Sequence, residues 1–237
     1  MSILPDDHSQ SNEPHDDVSE FEDDLTEGSS KVANPVADAF TRAMDHFSDG
    51  GEIAPLNEVV KVCTREYLDA ILPDQPPTPD EIEKQLLAMV NGVCKVENRK
   101  TRIDREKLQL LKALMPVQVA MIVDHLFHVA EVTPGGTQQD DGLGVLSIYQ
   151  DSGEFVGLHR RVDLGLLDEL ARQYNFGHDG KWLVEFERAL RGFARKVPEN
   201  QNTDLVVMGN LIYDYRNDER IPFSPNYVFL AATRRPI

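Results

Sequence analysis

The chain has 237 residues, 41% of them hydrophobic, and a formal net charge of −17. That length suffices for one or two domains with a core, and the acidity argues against a generally basic nucleic-acid binder. The charge is uneven: the first 30 residues hold ten acids and no Lys or Arg, leaving 31 acids against 24 bases in the remainder, a net of −7.

Residues 1–35 are rich in Asp, Glu, Ser, Asn and Pro. They cannot bury enough apolar surface to offset chain entropy, so they read as a disordered acidic tail. Such a tail either solubilises the protein or mimics nucleic acid toward a basic partner. Val18, Phe21 and Leu25 have the spacing of a short helix that forms on a partner. Met1–Pro5 lacks the basic start and apolar run of a signal peptide. No apolar stretch approaches the roughly 18 residues of a membrane span.

Residues 36–132 read as a helical region. Val36, Ala39, Phe40, Ala43, Met44 and Phe47 have helical spacing up to Gly50-Gly51. Leu56, Val59, Val60, Cys63, Tyr67, Leu68 and Ile71 repeat it over 56–72. Pro73–Pro79 is a proline-rich linker. Thr78-Pro79-Asp80-Glu81 then spells an N-cap, a proline at the first helical position and an acidic first turn. That helix is expected to run toward Gly92. Asn98–Ile103 is a basic break. Further helices are expected over Asp104–Leu114 and, opened by Pro116, over Val117–Val132.

Residues 133–144, rich in Gly and Asp, read as a linker before a mixed domain over 145–237. Strands are expected at Val145–Tyr149 and Glu154–Leu158, joined at Asp151-Ser152-Gly153. Asp163 caps a helix over Leu164–Tyr174, and Asp179 caps another over Lys181–Lys196. On the latter, Trp182, Phe186, Ala189, Phe193 and Val197 form one stripe, and Arg188, Arg191 and Arg195 another on roughly the opposite face. Val206–Tyr213, a polar turn at Arg216–Arg220 and Tyr227–Leu230 read as a hairpin or a pair of short strands. Pro222 and Pro225 cannot donate to a ladder, so this is an edge or a looped return. The fold class is α+β: helices first, then short β-hairpins mixed with helices.

The sequence carries little chemistry. It has no GxxxxGK[ST] P-loop, and its loop glycines Gly135, Gly136, Gly142 and Gly144 make no dinucleotide fingerprint. Asp140-Asp141 and the pair Asp214 and Asp218 read as turn residues rather than a metal-binding carboxylate set. His125 and His128 have a metal-compatible spacing but no third ligand. Cys63 and Cys94, with no CxxC, fit a reducing compartment. Trp182 reads as a core anchor. No catalytic residue, metal or cofactor is expected. Two basic patches are candidate phosphate contacts: Arg99, Lys100, Arg102, Arg105 and Lys107; and Arg188, Arg191, Arg195 and Lys196 with His159, Arg160 and Arg161.

Asn210, Ile212, Tyr213 and Asp214, then Pro222-Phe223-Ser224-Pro225, then Tyr227-Val228-Phe229 follow an ordered pattern. This pattern resembles the region before the motor in phage and plasmid DNA primase–helicases of the poxvirus type. Leu146–Phe155, with Tyr149 and Gly153, resembles the family's Tyr-containing strand and Gly turn. The likeness covers roughly residues 116–237 and departs at Leu211, where the family has Gly. It implies a DNA-replication role in a bacterial host cytoplasm. There this region would help engage DNA, single-stranded or at an origin, and assemble a superfamily 3 helicase motor, with homo-oligomerisation as a further implied contact.

The chain ends where the family runs on to its ATPase, so the motor is expected in a longer product or on another polypeptide. The chain alone is expected to be neither primase nor helicase. The rival reading is a protein-interaction module that docks a replication partner without touching DNA.

Overall fold

The computed structural model describes residues 34–48, 51–72, 75–133, 144–209 and 211–231. The expected acidic tail, Asp140-Asp141 and Asn210 lie outside them. The fold is α+β.

Helix α1 (Pro35–Ser48) turns Ala39, Ala43 and Phe47 inward, and α2 (Leu56–Leu68) turns in Val59, Val60, Cys63, Tyr67 and Leu68. Helix α3 (Pro79–Glu97) starts as its sequence dictates. Thr78 Oγ1 accepts from Glu81 N–H at 3.4 Å, and the Glu81 carboxylate accepts from Thr78 N–H at 2.9 Å. This reciprocal pair satisfies two donors that the first turn leaves open.

The helix does not stop at Gly92, as the glycine suggests, but runs five residues further. A Cβ at Gly92 would lie 2.9 Å from the Phe40 ring, so this glycine serves close packing of α1 on α3 rather than termination.

The expected helix over Asp104–Leu114 is absent. One 3-10 turn, Asp104–Glu106, is followed by an irregular segment. Two asparagines on α3 and at its end grip that segment. Asn98 donates to Leu108 O at 3.0 Å and accepts from Leu108 N–H at 2.6 Å. Asn91 does the same to Leu111, at 2.9 and 2.7 Å. Each amide acts like a strand partner for one residue and meets backbone groups that a helix would otherwise satisfy.

Helix α4 (Pro116–Phe127) ends earlier than expected. His128 adopts the left-handed conformation, φ 48°, and the chain enters strand β1 (Val129–Thr133). Strands β2 (Val145–Tyr149), β3 (His159–Arg161) and β4 (Arg195–Pro198) complete a sheet ordered β3-β2-β1-β4. The β1–β4 pair is parallel and the others antiparallel.

The return strand thus falls at His159–Arg161, not at Glu154–Leu158. Gly153 and Gly157, at φ 80° and 81°, close a loop in which Gly157 N–H donates to Gln150 O at 2.8 Å. The Phe223 ring occupies the place of a Cβ at Gly157.

Helices α5 (Leu164–Tyr174) and α6 (Gly180–Phe193) begin at Asp163 and Asp179, whose carboxylates accept from Leu166 and Trp182 N–H at 2.8 and 2.7 Å. Helix α6 ends at Phe193, so Arg195 and Lys196 belong to β4 and not to a helical stripe. Its buried positions are Phe186 and Leu190, with Trp182 and Ala189 partly buried beside them.

Strand alternation gives the four-stranded sheet two different faces. Val129, Leu146 and Ile148 join the main core, which contains residues of all six helices and runs unbroken across the expected linker. Ala130 and Val132, on the other face, pack with Val228, Val197 and Leu230.

Strands β5 (Leu205–Met208), β6 (Leu211–Asp214) and β7 (Glu219–Ile221) make an antiparallel meander. It encloses a small core of Leu158, Val207, Ile212 and Phe229. The second strand of the C-terminal hairpin is therefore β7, not Tyr227–Leu230. The latter segment is irregular, Phe229 O accepting from His159 N–H at 2.8 Å and Val228 O from Asn200 N–H at 2.7 Å. Among the described residues no helix is long and apolar enough to cross a membrane.

Candidate nucleic-acid interface

The six candidate DNA contacts divide by what they already hold. Arg191 Nε donates to Glu187 at 3.1 Å and Nη1 to Gly144 O at 3.2 Å, with the Glu131 carboxylate 3.8 Å away. Glu131 is buried and also accepts from Gly144 N–H at 2.8 Å. Arg191 thereby clips α6 to the start of β2 and balances a buried carboxylate, an internal task. Arg195 Nη2 donates to Pro225 O at 3.0 Å and ties β4 to the Pro225–Asn226 turn.

Arg160, Arg161, Arg188 and Lys196 are exposed. They do not form one row. Arg160 and Arg161 lie on β3 and Lys196 on β4, the two opposite edges of the sheet, about 14 Å apart at three strand spacings. Arg160 stands 5.5 Å from the Phe155 ring centroid. Arg161 lines a cleft of about 720 Å³ with Arg191, Glu187 and the first residues of α5.

His159 leaves the basic patch altogether. It is fully buried, burial depresses its pKa, and its Nε2 lies 3.2 Å from Pro225 O. A neutral ring donating from Nε2 satisfies that carbonyl, while Nδ1 has no partner. The other patch is also partly committed. Lys100 reaches the buried Glu97 carboxylate at 2.7 Å and Phe47 O at 2.8 Å, and Lys107 pairs with Asp104 at 2.6 Å.

Three of the family-like positions, Tyr149, Pro225 and Phe229, touch His159. Tyr149 packs against its ring with centroids 5.5 Å apart, Pro225 and Phe229 offer it their carbonyls, and Phe223 fills the space left by Gly157. Gly153 supplies the left-handed turn before it. Pro222 follows β7 and is exposed. Tyr213 faces elsewhere: its hydroxyl donates to Asp218 and its ring meets that of Tyr215 edge-on at 4.8 Å.

Asp214 builds a turn. One oxygen accepts from Arg216 and Asn217 N–H at 2.9 and 3.1 Å, the other from the Asn217 amide at 2.9 Å. These bonds, the Asn217 side chain first, hold its carboxyl below the usual range. Asp218 follows at φ 54°.

Among the described residues no three His, Cys, Asp or Glu are grouped to hold a metal ion. The two cysteines are buried and free, and burial pushes their thiols up to about 12 for Cys63 and about 11 for Cys94. Thiols so far from ionisation at neutral pH are poor nucleophiles.

The sequence reading missed Tyr215, Met208 and Arg220. With Tyr213, Asp218 and Glu219 they line a hollow of about 900 Å³ on the meander. The alternation of Met208, Leu211 and Tyr213 against Val207 and Ile212 is the signal that marks this face. No protein-family model matches the chain, and no curated protein matches it.

Proposed function

We propose that the chain is a DNA-replication adaptor, the part of a phage or plasmid primase–helicase system that engages DNA beside a superfamily 3 motor. The observation that supports this reading is the convergence around His159. Tyr149 and the distant segment 223–229 meet there: Tyr149, Pro225 and Phe229 touch His159, and Phe223 packs on Gly157. These are residues through which the sequence resembles that family, and here they lie close to one another. In this reading Arg160, Arg161, Arg188 and Lys196 meet phosphates, while Arg191 and Arg195 hold the scaffold.

The test is binding of a labelled single-stranded oligonucleotide across a salt series, with Arg160→Ala/Arg161→Ala as the variant. The slope of log K against log salt is expected to shrink by about 0.7 per lost phosphate contact. An unchanged slope removes β3 from the interface, and absence of binding by the unaltered protein overturns the reading.

A second reading, a protein-interaction module, is favoured by Arg191, whose charge Glu187 and Glu131 already balance, which leaves less free positive charge than the sequence suggests. Removing residues 1–33 separates the two. The adaptor keeps or strengthens its DNA binding, whereas the module loses its partner.

A further inference from the structure

The meander has one face toward Leu158 and Phe229 and one face away from them. Because side chains alternate, Val207 and Ile212 enter the small core while Val206, Met208, Leu211 and Tyr213 take the outer side. The register sets Val206 opposite Tyr213, Met208 opposite Leu211, and Tyr213 opposite Arg220. Tyr215 extends this row into the turn, 57% exposed. Among the described residues the hollow here is lined by β5, β6, β7 and their turn.

We infer that this outer face is a stacking platform for the bases of single-stranded DNA. The inference rests on the DNA-engaging role proposed above and names a surface for it. Folding does not account for Tyr215. Its backbone N–H donates to Asp204 O at 2.9 Å, while its ring, more than half exposed, meets the Tyr213 ring in a T-shaped pair. Two rings at an interplanar angle of 86° present two separate aromatic surfaces, and every base has a π-face to lay on one. Asp218 accepts the Tyr213 hydroxyl and thereby fixes that ring.

The charges around the rings suit a single strand. Arg216 and Arg220 are exposed and neither joins an ion pair among the described residues, so both can follow a backbone. Asp218 and Glu219, also at the rim, repel a phosphate but accept from the exocyclic amino groups of bases. A duplex hides the base faces and leaves the amino groups only one free hydrogen each, down in the grooves, and presents phosphates at its surface. The mixed rim therefore selects unpaired bases laid onto the tyrosines.

The experiment measures anisotropy of a labelled mixed-sequence oligonucleotide, single-stranded and duplex, with the full chain and with Tyr215→Ala, Tyr215→Phe and Arg220→Ala. Tyr215 is exposed, so these variants fold. Single strand should bind in preference to duplex. Tyr215→Ala should weaken binding about tenfold, Tyr215→Phe should stay near the unaltered protein, and Arg220→Ala should weaken it with a shallower salt dependence.

If the unaltered chain binds single strand and Tyr215→Ala binds equally well, the platform is overturned while the DNA role stands. If Tyr215→Phe fails as badly as Tyr215→Ala, a hydroxyl contact replaces stacking and the platform is overturned. Equal affinity for duplex also overturns it. No binding to either form overturns both the platform and the role it rests on.

Discussion

The helical side of the molecule and the C-terminal meander are stabilised in different ways. The helices share one large apolar core in which Tyr67, Phe186, Leu86 and Ile82 are wholly buried. The meander encloses four buried residues, Leu158, Val207, Ile212 and Phe229. Its shape comes from specific devices: the Asp214 turn, the left-handed Gly153 and Gly157, and the carbonyls of Pro225 and Phe229 held at His159. Burial is additive and tolerant of small errors, whereas each of these devices is a single point of failure. Both sides expose aromatic rings, Phe176 beyond α5 at 80% and Tyr215 on the meander at 57%, so exposure alone does not distinguish them.

Three changes break or sharpen this contrast. The largest effect is expected for Phe186→Ala, which empties a fully buried site on α6. A loss of about 3–5 kcal/mol is expected, seen as a fall in Tm that far-ultraviolet circular dichroism and tyrosine exposure report together.

Gly157→Ala comes next. It places a Cβ against the Phe223 ring at φ 81°, at a cost of about 1–3 kcal/mol. Hydrogen exchange should quicken in β5–β7 and residues 223–229 while α2, α3 and α4 keep their protection. Uniform loss across both regions would show that the two sides unfold as one.

The smallest effect is a gain. Burial pushes the Asp124 carboxyl on α4 up to about 6, above the roughly 3.9 of an unfolded chain. A raised carboxyl pKa means that the folded state binds the proton more tightly. The cost of ionising it is therefore complete above about pH 6 and gone below about pH 4. Asp124→Asn should raise stability by about 1–2 kcal/mol at pH 7.5, and its melting curve should converge with that of the unaltered chain near pH 4.

Elements with local signals were legible in the sequence. Thr78-Pro79-Asp80-Glu81 opens α3, and Asp163 and Asp179 open α5 and α6, because capping uses residues within one turn of each other. What failed was non-local. Gly92 is ordinary punctuation until Phe40 is known to sit beside it. Residues 107–115 have helix-compatible composition, and the amides of Asn91 and Asn98, with Leu114 buried in the core, hold them out of a helix.

Strands β1 and β4 are too short for their period to separate from the helix before them, and their parallel pairing joins distant segments. The error propagated to the site. Extending α6 through Lys196 put Arg195 on a helical stripe, whereas it is a strand residue bonded to Pro225. The tyrosine face was in principle readable, since Met208, Leu211 and Tyr213 alternate with residues that become buried.

The contact between Phe40 and Gly92 also constrains how this protein can change over generations. The ring occupies the space that any side chain at position 92 would need, with two of its carbons 2.9 Å from a would-be Cβ. Selection therefore sees the two positions as one locus. A methyl group gained at 92 requires the far edge of the Phe40 ring to shift or the residue at 40 to shrink, and a smaller residue at 40 opens room that a methyl at 92 partly fills. Substitutions at the two positions should therefore show coupled rather than additive effects on stability.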